Sequence, residues 1–426
     1  MEFGIRANRG QVLQQLVQVL LVGLTLGMMR NVVPALAETE FGVPRGSFML
    51  LVAFVVAFGF VKGAMNFVAG RLAERIGRRR VLLLGWMVAL PIPLTIYFAS
   101  SWGWIVAATV LLGVNQGLTW SMTQTAKLDL TRADQRGLVI GLNEFAGYLG
   151  VAAAGVATGY AAALLGPREA LLWFGAAVIG LATLLAWLMI AETLPWARAE
   201  VERAVASAGA SALRPRYPTG VSSQPTTTEV FVLMSWRDRR LAALCQAGLV
   251  EKFVDALVWV FWPVYLHQRG VSLPDIGWIV GIYGFSWGGA QFFTGKLSDR
   301  VGRHRLNVGG MWLCGAGVVL LPLGGTASWW SFSAAVTGLG MAMLYPNLSA
   351  AVADIAHPGW RASAIGIYRF WRDLGYGIGA LGLGAAAALG GRIETAFWFV
   401  GIAMGLSGLA LWHFGEETHP RLNPAP

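Results

Sequence analysis

Charge is what this chain has least of. Only 13% of its 426 residues are Asp, Glu, Lys or Arg, while 56% are hydrophobic and the mean hydropathy is +0.59. A soluble domain carries about a quarter charged residues, so a membrane protein is expected. Cysteine is almost missing. Cys245 and Cys314 both fall in apolar runs, where they read as small filler, not as a disulfide or metal site. The five histidines, at 267, 304, 357, 413 and 419, are scattered and form no H-x-x-x-H spacing, so no metal is expected. The chain has no G-x-x-x-x-G-K-S/T loop, so ATP is not expected as its energy source, and no cofactor is expected. Low-complexity tracts and soluble domains are also missing. Met1 to Gly10 is too short and polar for a cleavable signal.

What is present is apolar length. Twelve runs approach the roughly 20 residues a bilayer demands. The first six cover 11–36, 47–69, 81–99, 104–126, 137–165 and 170–191; the second six cover 241–266, 274–294, 306–324, 328–352, 362–389 and 395–414. The 55 glycines suit membrane helices that approach closely. The net charge of +10 describes topology. Of 32 Lys and Arg, 23 fall in the loops and tails on the side of both termini, four (Arg45, Arg168, Arg269, Arg392) on the opposite side, and five within spans. By the positive-inside rule both termini face the cytoplasm of a cell (inner) membrane protein. The expected partners are a small-molecule substrate and the lipid bilayer; nucleic acid is not expected, and the chain is expected to be a monomer.

The first half is written again 225 residues later. Gly70, Leu72, Arg75, Gly77, Arg78 and Arg80 return as Gly295, Leu297, Arg300, Gly302, Arg303 and Arg305; Asp129, Arg136 and Gly141 return as Asp354, Arg361 and Gly366. Glu192-Thr193-Leu194-Pro195 returns as Glu417-Thr418-His419-Pro420. A constant offset over this length means two copies of one structural unit. The expected domains are 1–195, a six-helix bundle; 196–240, a mobile Pro- and Ser/Thr-bearing cytoplasmic linker ending in an interfacial helix at 229–240; and 241–426, a second bundle.

Gly70-Arg71-Leu72-Ala73-Glu74-Arg75-Ile76-Gly77-Arg78-Arg79-Arg80 joins spans two and three, and its copy, Gly295 to Arg305, joins spans eight and nine. Glycines serve where backbone must bend or touch a neighbour. The single acid among bases can pair with an Arg or with the positive N-terminus of a neighbouring helix. With these residues the chain resembles, over its whole length, the major facilitator superfamily, whose signature between spans two and three has the form G-x-L-a-D-r-x-G-r-k/r. Glu74 departs from the usual Asp, which Asp299 keeps. The resemblance implies an all-α membrane fold of twelve transmembrane helices in two pseudo-symmetric six-helix bundles, and a transporter instead of an enzyme. It also implies a charge relay joining the motif acid, the Arg four residues on, and the acid ending the fourth span. Those are Glu74, Arg78 and Asp129, with Asp299, Arg303 and Asp354 in the second half. Together with Gly70, Gly77 and Gly295 they are expected to form a cytoplasmic latch, intact when the carrier faces outward.

Nine charges lie well inside spans: Arg30, Lys62, Glu144, Glu251, Lys252, Asp255, Arg369, Arg372 and Asp373. Each costs roughly 2.5–3.5 kcal/mol at a helix centre unless paired or wet. Spans three, six, nine and twelve have none; in the superfamily those are the outer, lipid-facing supports. Span seven sets Glu251, Asp255, Trp259 and Trp262 on one helical face, and span eleven sets Arg369 and Asp373 at i, i+4. Span one adds a stripe of Gln11, Gln14, Gln18 and Thr25, and span four adds Asn115, Gln116, Thr119 and Thr123. In the repeat Glu144 matches Arg369, which predicts an ion pair between the halves.

The function read from these residues is secondary active transport of a small solute by alternating access. Protons drive it, and the solute is an organic or inorganic anion. Glu144, Glu251, Asp255 and Asp373 are the proton candidates, Arg30, Lys62 and Arg369 the anion candidates, and Arg372, Asn115 and Gln116 further candidates for contact with the substrate or the coupling proton. The alternative is a proton-coupled drug or metabolite exporter. Against it, span five (Gly141 to Gly150) lacks the proline of the G-x-x-x-G-P-x-x-G-G signature of drug antiporters. A non-transporting sensor would not keep so many buried charges, and an enzyme would need a clustered catalytic set.

Overall fold

The protein is described by a computed structural model covering residues 1–42, 48–212 and 225–422. The first bundle contains α1 (Arg9–Phe41), α2 (Phe48–Ile76), α3 (Arg78–Ala89) with α4 (Ile92–Tyr97), α5 (Trp102–Leu130), α6 (Arg136–Leu165) and α7 (Pro167–Met189). α8 (Leu194–Ala212) and α9 (Thr227–Val232) lie between the bundles. The second bundle contains α10 (Arg239–Ala256) with α11 (Trp262–Gln268), α12 (Leu273–Val301), α13 (His304–Leu320), α14 (Ala327–Ile355), α15 (Arg361–Gly390) and α16 (Glu394–Phe414). Eight helices among the described residues are long and apolar enough to cross a membrane by length and composition. The α10–α11 run and the 29- or 30-residue helices α2, α12 and α15 complete twelve passes. Lys62, Lys252 and Arg369 lie on these less apolar passes.

Proline explains where passes break. Pro91 and Pro93 lack the N–H that would continue α3, so the third pass restarts as α4. Pro263 follows a π-helical turn at Leu257–Phe261 that divides the seventh pass; its ring cannot accommodate the regular i−4 carbonyl, and the wider turn relieves that clash. Pro346 sits inside α14 and leaves the Ala342 carbonyl without its helical donor. Thr294 of α12 supplies a hydroxyl to that carbonyl at 2.5 Å.

The linker departs from the sequence reading. Residues 194–212 form a regular helix, α8, because Ala-rich sequence carries little helix-opposing entropy and Glu200 is held by two arginines described below. The 213–224 part of the expected mobile linker lies outside the described residues.

The bundles meet mainly along two helix pairs, α2 with α15 and α6 with α12, and α6 also reaches α14. Glycine permits the approach at the end that carries the basic loops. A Cβ on Gly366 would lie 2.6 Å from the Asn66 carbonyl, and its repeat partner Gly141 would bring one to 2.7 Å from that of Gln291. Backbone oxygens cannot yield to such a group, so Gly366→Ala or Gly141→Ala should cost on the order of 1–3 kcal/mol. Gly281 has nothing within 4 Å of a Cβ, and Gly281→Ala should not lower the unfolding temperature. Equal unfolding temperatures for all three variants in detergent would contradict this account of the interface.

Candidate functional site

The buried charges converge on the boundary between bundles. Lys62 on α2, Glu144 on α6, Glu251, Lys252 and Asp255 on α10, and Arg369, Arg372 and Asp373 on α15 are each 3% exposed or less. Arg30 belongs to α1, and its side chain lies outside the described residues. Asp373 is the hub. Its Oδ2 accepts a hydrogen bond from Asn66 Nδ2 at 2.6 Å and lies 3.5 Å from Lys62 Nζ, both on the opposite half. Its Oδ1 lies 3.4 Å from Arg372 Nε. Asn66 is fixed in turn by Ser121, whose hydroxyl donates to Asn66 Oδ1 at 2.7 Å.

The repeat partners Glu144 and Arg369 also meet, with Arg369 Nη1 3.8 Å from Glu144 Oε1. Arg369 Nη1 donates to Gln124 Oε1 at 3.0 Å, and Glu144 Oε1 accepts from Trp120 Nε1 at 3.1 Å and Asn143 Nδ2 at 2.9 Å. Within the second half, Lys252 Nζ donates to Asp255 Oδ2 at 2.7 Å and lies 3.8 Å from Glu251 Oε1. Asp255 further accepts from the hydroxyls of Tyr283 and Tyr376 at 2.7 and 3.1 Å. Aromatic rings wall the cluster. Tyr345 has Lys252 Nζ 4.0 Å and Arg372 Cζ 4.4 Å from its centroid, and its hydroxyl meets that of Tyr148 across the halves at 2.9 Å.

Two arginines of this cluster each keep two unpartnered nitrogens, where other buried arginines keep at most one. Arg369 Nε and Nη2 and Arg372 Nη1 and Nη2 are buried with no hydrogen-bond partner among the described residues. Leaving a buried polar group unpaired costs about 1–3 kcal/mol, more when charged, and i, i+3 spacing puts both residues on one helix face. Counting Lys127, which is also buried, the described side chains in the interior away from the basic-end loops include five cations (Lys62, Lys127, Lys252, Arg369, Arg372) and four carboxylates (Glu144, Glu251, Asp255, Asp373), a formal excess of one positive charge among them. Arrangement and charge alike suit an anion. Volume points elsewhere: a crevice of about 360 Å³ is lined by Val260, Phe261, Val264, Gly384 and Ala387 among others, and Arg392 is its only charged lining residue. With Arg392 as the one charged group in its wall, the crevice offers a polar solute far fewer partners than the charged cluster does.

Some expected residues take other places. Asn115 donates to the Gly85 carbonyl and Gln116 to the Val22 carbonyl and Thr25 hydroxyl, so both tie helices within the first bundle. Gln11 and Gln18 likewise bond residues of α7 and its C-terminal end and, for Gln18, Trp86 of α3. The π turn splits the expected face of span seven. Trp259 stacks on Tyr376 of α15, with centroids 5.1 Å apart, while Trp262 meets Tyr283 of α12 at 5.7 Å.

The repeated loops form a two-sided lock at the basic end. Glu74 accepts from the backbone N–H of Ser363 at 2.8 Å, and Asp299 from those of Gly137 and Leu138 at 3.0 and 2.8 Å. Each motif acid thus sits on the N-terminal turn of a helix in the other half, where the dipole favours it. Arg78 Nε pairs with Asp129 at 2.8 Å, and Arg303 bridges Asp354 and Asp299. The first relay therefore differs from its expected form, since Glu74 pairs with Arg71 at 3.1 Å and not with Arg78. Gly77 and Gly302 take φ of +96° and +101°, the left-handed region open to glycine. That turn lets Glu192 and Glu417 accept the first backbone N–H groups of the following helices, at 2.9 Å from Arg78 N and Arg303 N.

One residue of this lock escapes sequence reasoning. Glu200 of α8 accepts from Arg361 at 2.7 and 2.8 Å and from Arg136 at 3.1 Å. These arginines are repeat partners on opposite halves, so one linker carboxylate joins both. Arg136 also crosses to Asp354 at 2.9 Å.

Comparison with known proteins gives a consistent picture. The family model described as Major Facilitator Superfamily matches residues 16–250 and 244–426. A probable 4-methylmuconolactone transporter of Cupriavidus pinatubonensis is 25% identical over 409 residues, covering 91% of this chain and 87% of that protein. The class G tetracycline resistance protein of Vibrio anguillarum is 26% identical, covering 78% and 81%. A 3-(3-hydroxy-phenyl)propionate transporter of Escherichia coli is 33% identical over 177 residues, covering 40% and 38%. Among solved structures, that of the human organic anion transporter MFSD10 superposes with a TM-score of 0.77 at 19% identity, covering 95% of this chain and 99% of that one.

Burial raises the Glu200 carboxyl, but Arg361 and Arg136 outweigh it and hold it at about 2, below the ordinary 4.5. A carboxylate depressed on folding stabilises above its unfolded value, and that contribution is lost as pH falls from about 4.5 through about 2. Glu200→Gln should therefore lose roughly 3 kcal/mol at neutral pH and abolish this acid-dependent step in thermal unfolding. A variant as stable as the parent, with the same acid dependence, would contradict the clasp.

Proposed function

The chain belongs to the Major Facilitator Superfamily, and from that premise we propose that it is a proton-driven carrier of a small organic anion. It is an integral membrane protein and a transporter, not an enzyme, as the whole-chain family match and the transporter relatives establish. The observation that carries the finer reading is the pair of buried guanidinium groups, Arg369 and Arg372, with four nitrogens that bond nothing among the described residues. A carboxylate accepts two parallel N–H bonds from a guanidinium, and the rings of Tyr345, Trp287 and Tyr148, whose centroids lie 4.1–5.7 Å apart, suit a flat organic body beside it. The propionate named for one relative fits this class.

In this reading the two bundles are the units that rock. The basic end faces the cytoplasm and is closed here, with Glu74, Arg78, Asp129, Asp299, Arg303 and Asp354 as its latch and Gly70, Gly77 and Gly295 allowing the close turns. Solute enters from the other end. It draws Arg369 away from Glu144 and Arg372 away from Asp373, loosening the two contacts that span or border the halves. Lys62 then holds Asp373 against α2. A second reading, export of drugs or metabolites, is favoured by the likeness to the tetracycline resistance protein. The two differ in what binds at the arginines.

The test is accumulation of 3-phenylpropionate by proteoliposomes given an inward proton gradient. Arg369→Ala and Arg372→Ala should each reduce it more than tenfold, and collapse of the gradient should abolish it in the parent. Undiminished accumulation in both variants would overturn the anion assignment. Transport restricted to tetracycline, in the opposite direction, would favour export.

A further inference from the structure

We infer that Glu251 is the carboxyl that takes up and releases the transported proton, and that Lys252 is the switch that reports its charge to the rest of the site. The inference rests on the proton-driven reading above and selects among its four carboxylates by their partners. Asp373 is held by Asn66, Lys62 and Arg372. Asp255 is held by Lys252 and two tyrosine hydroxyls, and Glu144 by Trp120, Asn143 and Arg369. Glu251 is fully buried, and neither of its oxygens has a hydrogen-bond partner among the described residues. A buried carboxylate without donors is the costly form, and a neutral acid in the same place costs far less. In the arrangement seen here, then, Glu251 is the one acid of the four whose environment is built for the protonated state.

Its surroundings supply the consequence of losing that proton. On α10 itself the facing groups are Lys252 and Asp255; on α15 they are Tyr368, Arg372 and Asp373; on α13, Cys314. From α14, Tyr345 lies against Lys252 and Arg372. α16 carries its titratable side chains, Glu394 and His413, in its first and last turns. Lys252 Nζ is the nearest cation, 3.8 Å from Glu251 Oε1 and 2.7 Å from Asp255 Oδ2. While Glu251 is neutral, the ammonium belongs to Asp255. Once Glu251 is ionised, it competes for the same ammonium, and a shift of Lys252 toward it weakens the hold on Asp255.

Asp255 hydrogen-bonds the seventh pass to the hydroxyls of Tyr283 of α12 and Tyr376 of α15, and the π turn begins two residues later, at Leu257. π turns are frequent at functional sites. Loss of one proton thus loosens three helices at the joint of the seventh pass. The chemistry balances: an O–H bond forms on Glu251 with a proton from water on one side, and breaks to return that proton to water on the other. No electron moves.

Infrared difference spectra of the full chain in liposomes, recorded across pH, read both events without a known substrate. The parent should show the carbonyl band of a protonated carboxylic acid that disappears as pH rises, with a tyrosine band shifting at the same midpoint. Glu251→Gln should lose both changes, Glu144→Gln should keep them, and Glu251→Asp should keep the carbonyl band at a displaced midpoint. The last variant preserves the test if Glu251→Gln does not fold. A titrating carbonyl band that survives unchanged in Glu251→Gln, or that moves in Glu144→Gln instead, would overturn the assignment and leave proton-driven transport standing. A tyrosine band that stays fixed while the carbonyl titrates would overturn the Lys252 switch. No titrating carbonyl band in the parent would sink the proton-driven reading itself.

Discussion

Every ionised group in the middle of this molecule has had to give up water, and the arrangement of the two bundles follows from how that loss is offset. Removing one member of a buried pair leaves an uncompensated charge and costs roughly 3–5 kcal/mol. Pairs that span the halves are therefore strong determinants of how the halves sit. Asp373 with Lys62 and Asn66, and Arg369 with Glu144, make two such bonds in the interior. Glu74 and Asp299, each on a helix N-terminus of the other half, make two more at the basic end. Glycine contacts between α2 and α15 and between α6 and α12 bring the backbones close enough for all four.

Symmetry governs the basic end of the molecule and is abandoned in its centre. The Gly77 and Gly302 turns, the Glu192 and Glu417 caps, and the Arg78–Asp129 and Arg303–Asp354 pairs are near copies. At the centre Glu144 has Arg369 as its repeat partner, and Lys62 has Trp287. A site built from two identical halves would present two identical charges to one solute. The substitutions make it polar in a particular sense, with cations gathered on α15 and two carboxylates on α10. The lock has its own asymmetry, because a single linker residue, Glu200, serves both Arg136 and Arg361.

Much of this is legible in the sequence, for physical reasons. Eight of the passes among the described residues follow from apolar length and composition, since a bilayer admits few other solutions. The constant register of the repeat is enough to place Glu144 opposite Arg369. Periodicity does not say which neighbour a face meets, which is why Gln11 and Gln18 of α1 turn to α7 and, for Gln18, α3 instead of the centre. Lys127 is hidden because hydropathy ends the fourth span at 126, whereas α5 continues to Leu130 and buries the ammonium against the Gln15 carbonyl at 3.1 Å. Glu200 is hidden because its partners lie 64 and 161 residues away, and a charged stretch beside prolines looks like linker. The split face of the seventh pass needs the π turn, whose only trace in the sequence is Pro263.

The central claim is that Arg369 and Arg372 receive the carboxylate of the solute. Its most direct test is a crystal structure with bound 3-bromophenylpropionate, in which anomalous scattering locates the bromine and the density locates the carboxylate. The account predicts the carboxylate against both guanidinium groups, with the bromine on the Tyr345, Trp287 and Tyr148 side. A ligand bound in the apolar crevice beside Val260 and Ala387, with Arg369 and Arg372 untouched, would contradict it.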